Sequence, residues 1–307
     1  MTRTIMDINC GLTEGVAAFV AASEQAYSRQ LTAIADYIAA HKDTCPIVLI
    51  SGPSGSGKTT TALMLEAKLD RRGLETHTLS QDNYFRTLDE ADRALLAEGK
   101  LDLESPERVD TDLLNSQLAD IIACKTVELT EFDFPTHTRR KSGKTLTRRP
   151  GEVVILEGIH TLNPAVVTLP EEQTVRLYVS VRTRVEGPDG QILHPKYIRL
   201  LRRMLRDVKG RGRPAEGTLA MFHSVNLGED NFIMPYKSRS TFDVDTFCPY
   251  EINVYRPYLL DILQGMADRA EIAAVLPIVS AAQDLDAAAV PATALIREFI
   301  GDSEYHQ

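Results

Sequence analysis

Residues 52–59 read Gly-Pro-Ser-Gly-Ser-Gly-Lys-Thr, a full match to the pattern G-x-x-x-x-G-K-[ST]. A short apolar run, Ile47-Val48-Leu49-Ile50, precedes it and reads as a buried parallel strand. Ala62, Leu63, Leu65, Glu66 and Leu69 then follow a helical pattern towards Gly73, a helix stop. Strand, glycine-rich loop and helix together make a polyphosphate cradle. Gly52, Gly55 and Gly57 let the backbone turn its N–H groups inward. The helix N-terminus adds a partial positive charge of roughly half a unit. Lys58 can reach the terminal phosphates, and the Thr59 hydroxyl can hold Mg²⁺. Pro53, Ser54, Ser56 and Thr60 complete the candidate ATP-binding stretch, so the chain is expected to bind a nucleoside triphosphate.

The 307 residues suffice for one large domain, or one domain with appendages. Hydrophobic residues make up 43% and charged residues 25%, the proportions of an ordinary soluble globular protein. No apolar stretch is expected to approach the roughly 20 residues that span a bilayer, and the N-terminus lacks the apolar core of a secretion signal. No membrane partner is expected. Cys10, Cys45, Cys124 and Cys248 are scattered without a CxxC pair, which suits small buried or half-buried hydrophobes in a reducing cytosol and gives no zinc site. A net charge of −9 argues against nucleic acid as the main partner. Positive charge nonetheless concentrates between Lys196 and Arg213, and with a triphosphate implied, the nucleotide is its expected anion.

Residues 11–42 carry a helical pattern, with Leu31, Ile34, Ala35, Ile38 and Ala39 at core spacing. Strand candidates recur between helical stretches: Ile47–Ile50, Glu75–Leu79, Val153–Leu156, Val175–Val181, Phe242–Thr246 and Ala273–Val279. Such alternation predicts an α/β fold, a mostly parallel sheet with helices on both faces. Residues 1–45 are expected to be a helical extension and residues 46–307 the catalytic domain, with a lid at about 194–226. Ligands of such sheets lie beyond the carboxyl ends of the strands.

Asp82, just after the second of these strands, can accept a proton from a hydroxyl substrate, or equally serve an Asx-turn or helix cap. Glu157 ends the next strong strand and can hold a Mg²⁺-bound water, or be a carboxylate paired for structure. His160, three residues on, is read as structural. The stretch Glu131–Arg140, with Phe132, Asp133, Phe134 and His137, suits recognition of a sugar or base. It suits a hairpin arm equally, with Lys141-Ser142-Gly143-Lys144 as its turn. In residues 197–209 the apolar positions Ile198, Leu201, Met204, Leu205 and Val208 leave Arg199, Arg202, Arg203 and Arg206 on the remaining faces. A glycine-rich basic hinge, Gly210–Pro214, follows. This is either a solvated charged helix or a closing lid whose guanidinium groups meet phosphate.

Taken together, Gly52–Thr59, Ser80–Phe85, Phe132–Arg139, Glu157–Ile159 and the Arg202–Asp207 and Arg211–Arg213 segments resemble the uridine kinase and phosphoribulokinase family. The resemblance implies a P-loop kinase with three layers, an acceptor-binding hairpin arm and an arginine-rich lid. It implies Asp82 as general base, with His137 and Tyr84 in the acceptor-binding segments. Arg203 would face the acceptor, and Arg206, Arg211 and Arg213 the phosphates. A narrower likeness is to bacterial uridine kinase-like proteins that carry an N-terminal TGS module. This chain shares their helical lead-in and the ending Leu295–Gly301, without residues enough before it for that module. Three positions depart from nucleoside-specific members. Phe132 stands for a tyrosine, Met221 for a glutamine, and Glu104 for the aspartate that holds the ribose hydroxyls. About residues 186–197 are extra.

The expected activity is ATP- and Mg²⁺-dependent phosphoryl transfer to the 5′-hydroxyl of a uridine- or cytidine-like nucleoside. Two alternatives stand beside it: a kinase of the same fold for another sugar, sugar phosphate or cofactor precursor, and a nucleotide-binding regulator with no small-molecule acceptor. The oligomeric state is left open, including a homo-oligomer.

Overall fold

The computed structural model describes residues 1–305. A short strand β1 (Thr2–Thr4) and a long helix α1 (Ile5–His41) open the chain, followed by β2 (Ile47–Ser51), α2 (Lys58–Asp70) and β3 (Thr76–Ser80). Helices α3 (Glu90–Ala97) and α4 (Thr111–Ile122) lead to an antiparallel hairpin of β4 (Thr126–Asp133) and β5 (Thr138–Thr147). Next come β6 (Val153–Glu157), β7 (Thr174–Ser180), β8 (Arg184–Glu186) and β9 (Ile192–Leu193). The basic helix α5 (Pro195–Gly210) precedes α6 (Ala215–Ala220), α7 (Phe222–Phe232), β10 (Phe242–Asp245), α8 (Glu251–Gln264), α9 (Ala270–Ala281) and α10 (Arg297–Ile300).

The main sheet runs β10-β7-β2-β6-β3, and every pairing in it is parallel. β2, β6 and β7 are buried along their whole length; β2 and β6 therefore read as near-continuous apolar runs, while β7 buries Thr174, Arg176 and Ser180 among its apolar residues. Alternate side chains point to opposite faces. Val48, Ile50, Val153, Ile155, Val175 and Leu177 pack with α1, α2, α5, α8 and α9. Ile47, Leu49, Val154 and Leu156 pack with α4 and the hairpin. The result is the three-layer P-loop kinase architecture, with the phosphate loop leaving the central strand.

Three expectations are corrected, and one of two open readings is set aside. Ala273–Val279 is not a strand: it lies within α9, whose buried Ile272, Val275, Ile278 and Val279 fall on one helical face. A short apolar run does not distinguish strand from helix, and Pro277 within it already weakened the strand reading. The hairpin turns at 134–137, not at Lys141–Lys144. Lys141 pairs with Thr130, and Ser142, Gly143 and Lys144 form a bulge in β5 at the shift of register between Glu128 and Thr130, with Gly143 at φ +73°. Of the two readings of α5 left open above, the solvated charged helix is set aside, since Arg199, Arg202 and Arg203 are all buried.

The third correction concerns α1. It contains an 18-residue stretch of mean hydropathy 1.3, long and apolar enough by composition to cross a bilayer. Ile5, Ile8, Leu12 and Val20 of that stretch pack in the protein's own core, and 28% of the stretch is buried. The helix breaks at Gly15 and is capped by Thr4, whose hydroxyl accepts from the Asp7 N–H at 3.0 Å. β1 pairs with β8 and β8 with β9, so the lead-in and the extra residues before α5 meet in one small sheet.

Candidate active site

The phosphate loop is shaped by contacts that admit no side chain. A Cβ at Gly52 would lie 1.9 Å from the Val179 carbonyl oxygen, and Gly57, at φ +86°, caps α2 without a side chain. Lys58, Thr59 and Thr60 therefore open the helix with free N–H groups aimed at the loop. The Lys58 ammonium donates to the Pro53 carbonyl at 3.3 Å. From α5, Arg199 donates to the Ser54 carbonyl at 3.3 Å and pairs with Glu229 at 2.5 Å.

Arg202 holds the loop from beneath. It is fully buried and forks onto Glu251, Nε to Oε2 at 2.6 Å and Nη2 to Oε1 at 3.0 Å. Its Nη1 donates to the carbonyls of Gly55 and Ser56 at 3.3 and 3.4 Å. The Thr246 hydroxyl donates to the same Ser56 carbonyl at 2.7 Å. Tyr255 and the Cys248 N–H donate to Glu251, so the buried carboxylate is fully satisfied. The sequence marked Arg202 as part of a lid motif. It contained no signal for its partner, 49 residues away.

Two carboxylates face the loop. β3 pairs with β6 so that Ser80 lies opposite Glu157, and the Ser80 hydroxyl donates to Glu157 Oε1 at 2.7 Å. Asp82 sits in the short 3₁₀ turn Gln81–Tyr84 that follows β3, its N–H donating to the Ser80 hydroxyl at 3.4 Å. Burial raises the Asp82 carboxyl, while Lys58 and Arg211 pull it down. Burial, then repulsion from Asp82, pushes Glu157 up to about 7. Gly158 leaves room for Gln81, whose side-chain oxygen accepts from the His160 N–H at 3.0 Å. Thus Lys58, Asp82, Glu157 and Arg211, four of the expected residues, form one electrostatic group.

On the acceptor side, Phe132 is buried edge-on to Phe85 and Phe134, with ring centroids 5.6 and 5.2 Å away. His137 sits at the hairpin turn with a left-handed φ of +52°, its ring 6.4 Å from Phe132. Burial and the charges of Arg108 and Arg93 lower its pKa. Asn83 ties this arm to the strand end: its carbonyl accepts from the Thr130 hydroxyl at 2.8 Å and its side chain from the Phe132 N–H at 3.3 Å. Glu104 packs against Gly228 of α7. Burial raises its carboxyl, and Arg203 opposes that rise. Tyr84 takes a different place from the one expected. Its buried hydroxyl donates to Gln117 at 2.8 Å, joining the turn to α4 instead of facing an acceptor.

The hinge arginines gather around Asp207, which is buried on α5. Arg206 lies 3.5 Å from it, Arg211 and Arg213 3.9 Å each, and the Thr218 hydroxyl of α6 donates to it at 2.8 Å. Arg211 and Arg213 remain about half exposed, available to a passing anion. Arg213 also donates to the Met221 sulfur at 3.1 Å.

His160 was read as structural, and it is almost wholly buried, its ring against the backbone of Glu104 and Phe232. Burial lowers its pKa from 6.5 to about 4. The unfolded chain therefore binds a proton that the fold refuses, and stability falls as pH drops from 6.5 towards 4. His160→Gln is expected to flatten chemical-denaturation stability over that window by about 2–3 kcal/mol.

Residues 47–249 match the model of the Phosphoribulokinase / Uridine kinase family. The chain belongs to that family. It is 30% identical over 232 residues to uridine-cytidine kinase 2-B of Danio rerio, covering 71% of this chain and 80% of the relative. It is 34% identical over 199 residues to a uridine kinase of Lactobacillus johnsonii, covering 62% and 82%. A solved structure of a possible uridine kinase from Bacillus stearothermophilus aligns with a TM-score of 0.41 at 17% identity, covering 71% of this chain and 98% of that one. Membership makes the chain a phosphotransferase that acts on a hydroxyl group.

Proposed function

We propose that this family member transfers the γ-phosphoryl group of ATP to the 5′-hydroxyl of a nucleoside of the uridine or cytidine type. The observation that carries the reading is the placement of Asp82 beside the phosphate loop, within the electrostatic reach of Lys58 and Arg211. Asp82 would accept the acceptor hydroxyl's proton, and Lys58 with the loop N–H groups would hold the β and γ phosphates. Arg206, Arg211 and Arg213 would meet the transferring group, and Phe132, His137, Glu104 and Arg203 would enclose the acceptor. The residues present fit Mg²⁺: Thr59 opens α2, and Glu157 is a buried carboxylate whose one protein donor among the described residues is Ser80. When bound, Mg²⁺ neutralises charge on the phosphates.

A second acceptor class is favoured by two observations. Phe132 places an apolar ring, with no hydroxyl, in the arm's aromatic cluster, and Met221 is engaged by Arg213. A pyrimidine edge loses hydrogen-bonding partners at both positions, at a cost of about 1–3 kcal/mol for each group left unpaired. Phosphate transfer from labelled ATP to a panel of nucleosides, sugars and sugar phosphates separates the two. Phosphorylation of uridine or cytidine supports the first reading. Phosphorylation confined to non-nucleoside polyols replaces it with the second.

A further inference from the structure

The C-terminal segment lies beyond residue 249, outside the matched family region, yet it closes on the phosphate loop. Leu295 packs against Gly57, where an added Cβ would meet the leucine branches at 2.9–3.1 Å. Phe299 is buried beneath the guanidinium of Arg202, 5.1 Å from its centre, the same arginine that grips the Gly55 and Ser56 carbonyls. Arg297 fastens the segment by donating to the carbonyls of Ala287 and Val290 at 2.8 and 2.5 Å. Between these anchors, Glu298 Oε2 accepts from the Thr60 hydroxyl at 2.7 Å. Its carboxylate is thus fixed one helical turn into α2. It also adds to the repulsion on Glu157 across the site.

A hydroxyl has one proton to donate. While Glu298 holds it, Thr60 offers a nucleotide only its backbone N–H, and a fixed negative charge stands beside the place of the phosphates. We infer that Glu298 is a donor-site residue, a fixed carboxylate that occupies the Thr60 hydroxyl and opposes the polyphosphate. It thereby sets how loosely the donor and product nucleotides are held. This rests on reading residues 52–60 as the nucleotide site. The segment otherwise acts as a wall of that site, contributed by the far end of the chain.

The test is calorimetric titration of ADP and of a non-hydrolysable ATP analogue, each with Mg²⁺, into the full chain and its variants. Glu298→Gln keeps an oxygen for Thr60 but removes the charge, and an unchanged melting temperature checks its fold. It is expected to bind about tenfold tighter at low salt (about 1.4 kcal/mol). The gain is expected to be larger for the triphosphate and to shrink in 0.5 M salt, where the screening length is only about 4 Å. Glu298→Asp keeps the charge and is expected to stay within about threefold of the unaltered chain. Equal or weaker binding by the folded Gln variant overturns the inference. So does a gain that salt leaves unchanged, or a gain shared by Asp. If the unaltered chain binds neither nucleotide, the reading of residues 52–60 fails instead.

Discussion

Asp82→Asn is expected to lower kcat for phosphoryl transfer by about two to four orders of magnitude, the usual share of a positioned general base. Nucleotide affinity should change little, or improve, because the substitution removes one of two like charges beside the loop. Asp82 adds to the rise in the Glu157 pKa that burial causes, and Lys58 is the cation the two carboxylates share. The substitution preserves the turn, since the Ser80 hydroxyl is met by the residue 82 N–H and not by its side chain. Single-turnover assays with saturating donor isolate the chemical step. A variant that keeps more than a tenth of the turnover removes Asp82 from the role of base.

Glu251→Gln is expected to destabilise the fold by about 3–5 kcal/mol, because Arg202 is left as an uncompensated charge in the interior. Thermal and denaturant unfolding measure that loss. The paired replacement of Arg202 by Met and Glu251 by Leu separates stability from function. A buried ion pair exchanged for apolar groups of similar volume often costs little stability, so much of the melting temperature should return. Nucleotide binding should not return, because the carbonyls of Gly55 and Ser56 lose the guanidinium that holds them. A double variant that binds nucleotide as tightly as the unaltered chain would show that the loop keeps its shape without Arg202.

These two expectations come from different depths of the sequence. Asp82 was legible because it sits where the chain leaves a strand, and strand ends in a parallel sheet face the ligand crevice. The phosphate loop was legible because its chemistry depends on local backbone freedom at Gly55 and Gly57, which neighbouring residues cannot replace. The apolar strands β2 and β6 were legible because burial on both faces leaves no polar alternation. The pattern failed where local signals were ambiguous. Ala273–Val279 is apolar enough for either element, and Gly143 marks a bulge as readily as a turn. Tyr84 lay in a segment associated with the acceptor, but the partner that decides its role, Gln117, belongs to α4.

By itself, then, the sequence determined the α/β class, the phosphate loop and the strand-end carboxylates, because each depends on spacing within about ten residues. Tertiary structure alone decided how the loop is held. Arg202 meets Glu251 and the loop carbonyls across 49 to 147 residues of chain, and Thr60 meets Glu298 across 238. It likewise decided that the N-terminal strand pairs with β8 and that the basic helix is buried. Contacts of that range leave no periodic trace, because their distance is set by the folded path and not by the count of residues between them.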